Sequence, residues 1–164
     1  MNTPNLTRER SAGRAAMVAI LAGGFIGGTI DIFSASLISH FNPMVILRFI
    51  AGGVLGPAAL HGGTSASVLG LLLQWAMSLL ISAIFVIAAL RLRWLTARPM
   101  AAGLAYGVAI YFVMNYVVVP LSAWQHAFPF RPLAFLENMA AMLLFGLIIS
   151  FCARRNLRAR TATG

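Results

Sequence analysis

From Ala15 to about Ile38 the chain runs apolar, interrupted only by small residues and one acid, Asp31. At 1.5 Å of helical rise per residue, about 20 residues cross the hydrocarbon of a bilayer, so this run is long enough to span it. A cleaved signal peptide has a shorter apolar core, roughly 7 to 15 residues. Three more runs follow, over about 66–90, 100–121 and 133–153. Between the first two lies NPMVILRFIAGGVLGPAALHGG, apolar but broken by Gly52, Gly53, Gly56 and Pro57 and carrying Arg48. This stretch predicts two short helical pieces over about 43–60, re-entrant or lying in the outer interface, because lipid tolerates irregular backbone only where protein or water satisfies it. The pattern therefore predicts an all-α integral membrane four-helix bundle with a broken helix between spans 1 and 2. A polar segment, 1–14, precedes the bundle, and a basic tail, 154–164, follows it.

Composition agrees with the pattern: 60% of the residues are hydrophobic and 9% charged, against roughly 25% charged in an ordinary soluble domain. The net charge of +9 does not imply a nucleic acid partner. Its arginines stand in short clusters between apolar runs and not on an aromatic-interleaved soluble face. Their distribution carries topology instead, since short loops rich in Arg and Lys stay cytoplasmic. Arg8, Arg10 and Arg14 precede span 1. Arg91, Arg93 and Arg98 join spans 2 and 3, and Arg154, Arg155, Arg158 and Arg160 follow span 4. The alternate loops hold only Arg48 and Arg131. Both termini are thus expected in the cytoplasm, and a fifth span would move the three-arginine loop outside.

Within the spans, small and polar residues recur every four positions, which places them on one slowly drifting helix face. Span 1 has Gly23, Gly27, Asp31 and Ala35; span 2 has Gly70, Gln74, Ser78 and Ser82; span 3 has Gly103, Gly107, Tyr111 and Asn115; span 4 has Asn138, Met142, Gly146 and Ser150. These are packing seams, because helices in lipid associate through close contact and interhelical hydrogen bonds. Gly23, Gly27, Gly70, Gly103, Gly107 and Gly146 are the expected points of closest approach. One such seam is also expected to support self-association, with a dimer favoured.

Depth distinguishes the polar residues further. Asp31 and Asn115 each lie about 24 Å from the cytoplasmic end of their span, in the outer half. Gln74 and Glu137 lie about 12 and 6 Å from the outer ends. An ionisable group at mid-depth costs at least about 2.5 to 3.5 kcal/mol and normally faces protein, a partner charge or water. Asp31 should therefore point inward, with Arg48, Gln74, Asn115 and Tyr111 as candidate partners and Arg48 preferred, since a fixed cation lowers the carboxylate's cost. Asp31, Arg48, Gln74, Tyr111, Asn115 and Glu137 form the candidate polar pocket, opening outward.

No enzyme motif is present: no HExxH, GxSxG, phosphate loop or CxxC. Asp31 and Glu137 differ in depth, which argues against a carboxylate dyad. His40, His61 and His126 match no metal-ligand spacing, and Cys152 stands alone. No cofactor or metal is expected. PMVILRFIA from Pro43 and PLAFLENMA from Pro132 echo one another, each with a charge five residues after its proline.

The order GGTIDIF, then RFIAGGVLGPAALHGGTSASVLGLLLQW, then GLAYGVAIYFVMNYVVVPLSAW resembles the YagU-like family of small bacterial inner-membrane proteins over roughly residues 20 to 125. The resemblance implies a bacterial inner membrane and a loose association with acid resistance, and it implies no catalytic residues. The functional expectation is a small non-enzymatic membrane protein of structural or accessory type. The alternative is a conduit for protons or a small solute through the pocket around Asp31.

Overall fold

The computed structural model of the chain describes residues 3–124 and 132–158. Within them the protein is helical, and no strand occurs among the described residues. Helix α1 runs Thr3–Ser39, α2 Pro43–Leu55, α3 Gly63–Arg91, α4 Arg93–Ala97, α5 Pro99–Val113, α6 Val119–Leu121 and α7 Pro132–Arg158. A 3-10 turn, Gly56–His61, continues α2, and a π turn, Met114–Val118, joins α5 to α6. Five stretches are long and apolar enough to cross a membrane: Ala12–Ser39, Pro43–His61, Gly63–Arg91, Pro99–Leu121 and Phe135–Leu157.

Two boundaries depart from expectation. The polar N-terminal segment is already helical from Thr3, and α7 continues through Arg154 and Arg155 to Arg158. Arginine is a good helix former, so the change from apolar to basic sequence marks a change of surroundings without ending the helix. The expectations for His126, Arg131 and Arg160, and for the side chains of Arg8, Glu9, Arg10 and Arg158, lie outside the described residues.

The long helices pack antiparallel. A Cβ at Gly24 would meet Leu79 and one at Gly28 would meet Ser78 and Trp75, which sets α1 against α3 in opposite directions. Gly23 and Gly27 face Ile149 and Phe145 on α7, again antiparallel. Gly103 and Gly107 lock into α7 around Gly146 and Leu143, and Tyr106 Oη donates to the Ile81 carbonyl at 2.7 Å, tying α5 to α3. The expected glycines are thus all points of close approach, but the approach is within one chain. At these positions the glycines serve contacts between helices of the same chain.

The core lies toward the end where α1 begins: Ala19, Phe85, Val86, Ala89, Ala102, Ile149 and Ala153 are buried together there. That same end gathers Arg14, Arg91, Arg93, Arg98, Arg154 and Arg155, by the antiparallel register just given. Around the outside the surface is apolar: Leu37 and Leu121 are 76% and 82% exposed. Such an exterior suits a hydrocarbon solvent and not water.

The segment between α1 and α3 leaves and rejoins the same end of that helix pair. Asn42 caps α2 by accepting from the Met44 amide at 2.9 Å, and Pro43 starts the helix where no amide proton is needed. The helix ends at Gly56, whose φ of +70° is left-handed and turns the chain into the 3-10 piece. The predicted break is therefore present, at the glycine before Pro57. Helix α2 presses onto the first turns of α3 so closely that a Cβ at Gly70 would collide with the Leu47 carbonyl. Its other side is held by the end of the π-turn arm. Trp124 Nε1 donates to the Phe49 carbonyl at 3.0 Å, the two rings stack at 5.6 Å, and the Ala123 amide donates to the Gly53 carbonyl at 2.8 Å.

Candidate functional site

The carboxylate of Asp31 sits where α1, α3, α5 and α7 meet. Gln74 Nε2 donates to Asp31 Oδ2 at 2.8 Å and also lies 3.5 Å from the Gly28 carbonyl. Both partners are acceptors, so the amide orientation is fixed by the network: nitrogen toward α1, Oε1 away. Asp31 Oδ1 and Gln74 Oε1 accept no hydrogen bond from the described residues. A cavity of about 30 Å³ adjoins the pair, lined by Asp31, Gln74, Met77, Ser78, Ile81, Ile110, Met114, Met142 and Phe145. A water needs roughly 10–15 Å³ measured this way, so the space suits one or two waters or one small ion.

The expected Asp31–Arg48 pair does not form. Arg48 Nε donates instead to Ser67 Oγ at 3.4 Å, and that hydroxyl donates to the Met44 carbonyl at 3.1 Å. Ser67 and Gln74 are two turns apart on α3, roughly 10 Å at the helical rise. The contact of Leu47 with Gly70 fixes α2 on the first turns of α3 and holds Arg48 at that level. Depth alone could not reveal this, because it depends on where a broken helix docks.

The remaining candidates are also separate from the cavity. Tyr111 is buried, with its ring edge-on to Phe112 and Phe135. Asn115 Nδ2 donates to the Tyr111 carbonyl at 2.9 Å, along its own helix. Glu137 is partly exposed on α7 and makes no ion pair or hydrogen bond among the described residues. Of six proposed pocket residues, Asp31 and Gln74 meet at the cavity; Arg48, Tyr111, Asn115 and Glu137 do not line it.

Sequence reasoning passed over three methionines, Met77, Met114 and Met142, which reach the cavity from three different elements. One signal was available: Met142 stood in the polar stripe of the fourth span, and Met77 adjoins Ser78 in that of the second. Met114 lies one regular turn after Ile110, whose carbonyl its amide reaches, and the helix widens only beyond it. Pro120 has no amide proton for the carbonyl four residues back, the Val119 amide reaches the Met114 carbonyl, five residues back, and the register shifts by one residue.

Toward the arginine-rich end the cavity is closed. Phe85 and Ile149 are 1% and 0% exposed beneath it, and the Tyr106 hydroxyl bridges to the Ile81 carbonyl at its floor. Chemically, the site offers one carboxylate, one amide oxygen, one hydroxyl and three thioethers, and among the described residues no cation pairs with the acid. Comparisons with protein-family models, with curated proteins and with solved structures return no match. The site must therefore be interpreted from its own chemistry.

Proposed function

We propose that this chain is a non-enzymatic, multi-pass membrane protein whose four-helix bundle holds a proton or small solute at the Asp31–Gln74 site. The observation that carries this reading is the carboxylate bonded to Gln74 beside a cavity, with Arg48 engaged elsewhere. A purely structural or accessory role needs the hydrogen bond but has no use for the space. The closed core beneath the site favours access from the outer end. In the same proposal α1, α3, α5 with α6, and α7 cross the bilayer, while α2 and its 3-10 turn stay in the outer leaflet or interface. The termini then face the cytoplasm, in line with the arginines gathered at that end. A bacterial inner membrane, membership of the YagU-like family and a contribution to acid tolerance belong to the proposal through the sequence resemblance alone.

Proteoliposomes loaded with a pH-sensitive dye test it. Acidifying the outside should change the internal signal in a manner that Asp31→Asn reduces. If no Asp31-dependent proton movement or solute binding appears at any external pH, the binding reading fails and the accessory one remains.

A further inference from the structure

We propose that the cavity beside Asp31 is a binding site for one soft monovalent metal ion, Cu(I), held by the thioethers of Met77, Met114 and Met142. This deepens the proposed function and rests on the reading of that cavity as a binding site. Methionine is commonly a flexible filler that closes irregular gaps. Here three methionines, from α3, the π turn and α7, line one gap that remains open.

Ligand chemistry selects the ion. Thioethers are soft, neutral donors that suit Cu(I), whereas Mg²⁺ and Ca²⁺ require about six to eight oxygens. Among the described residues, the side-chain oxygens at this cavity come only from Asp31, Gln74 and Ser78. Among the described residues, no group of three or more His, Cys, Asp or Glu offers a harder alternative. Charge points the same way: one ion of charge +1 cancels one carboxylate, while a divalent ion would leave a net charge in a low-dielectric interior. The space of about 30 Å³ admits a bare ion and not one carrying a full hydration shell.

Ag(I), a redox-inert analogue, is the probe. The full chain in nanodiscs, carrying Cys152→Ala to remove the competing thiol, should bind one Ag(I), with sulfur neighbours in silver-edge X-ray absorption. Met77→Leu, Met114→Leu and Met142→Leu conserve side-chain volume and should each weaken binding by about tenfold or more. The triple variant should not bind, and Met17→Leu, at an exposed position of α1, should match the parent. No Ag(I) bound by the parent, undiminished affinity in the triple variant, or a shell of only oxygen and nitrogen would overturn the proposal. If the triple variant does not fold, the single variants decide by the same criterion. The dye assay, run without metal, separates the two claims. Asp31-dependent proton movement without Ag(I) binding overturns the metal assignment alone, and absence of both overturns the site itself.

Discussion

Gln74 does for Asp31 what a cation was expected to do, and it does so without charge. A hydrogen bond to a charged group contributes about 1.5–3 kcal/mol, comparable to the minimum of about 2.5–3.5 kcal/mol for an acid at mid-depth. The bond is therefore large enough to decide whether the carboxylate is tolerated in the bundle. Gln74→Leu should lower stability by about 2 kcal/mol, read as a reduced midpoint in detergent-based unfolding. Asp31→Asn should change it by less than about 1 kcal/mol, since an asparagine oxygen still accepts from Gln74 Nε2. Arg48→Gln should leave the Asp31 site unaffected; if it destabilised the chain as much as Gln74→Leu, the separation of Arg48 from Asp31 would be wrong. The inward aim of Asp31 was legible from its cost in lipid. Gln74 was among its candidate partners, but the choice of Gln74 over Arg48 was not legible, because both were within the uncertainty of a depth count.

At the scale of elements, α2 is a short helix clamped between two neighbours. Its clamp on α3 depends on Gly70, where any side chain would strike the Leu47 carbonyl. Gly70→Ala should cost about 1–3 kcal/mol by overpacking. The second clamp is Trp124, whose indole donates to the Phe49 carbonyl. Removing it with Trp124→Ala should loosen α2 locally, so that a thiol introduced by Ala51→Cys, at a position 0% exposed, is labelled faster than in the parent background. Equal labelling rates would show that the α3 contact alone holds the helix. Much of this element was readable in advance: the glycines and Pro57 announced a break, and Gly56 supplies it with its left-handed φ. The docking of Trp124, 75 residues beyond Phe49, was not readable, since a contact between distant segments has no local period. The π turn was likewise hidden, because its carrier sequence MNYVV is as apolar and periodic as an ordinary helix.

For the whole molecule, the decisive geometric fact is the relative direction of α1 and α3. If α2 with its 3-10 turn crossed the bilayer as a fifth span, α1 and α3 would traverse it in the same direction. The contacts of Gly24 with Leu79 and of Gly28 with Ser78, and the bond between Asp31 and Gln74, require opposite directions. In the proposed arrangement the length and apolarity of Pro43–His61 serve residence in the outer leaflet among other helices rather than a crossing. The charges agree, with Arg14, Arg91, Arg93, Arg98, Arg154 and Arg155 at one end and Arg48 near the other. Four crossings place both termini on one side of the membrane, and five place them on opposite sides. Reporters fused to the two ends of the full chain should therefore give the same cytoplasmic signal. A thiol introduced by Leu60→Cys should react with an impermeant reagent only from the other face. Opposite signals from the two termini would rule out the four-span arrangement, and with it the outer-end access assigned to the Asp31 cavity.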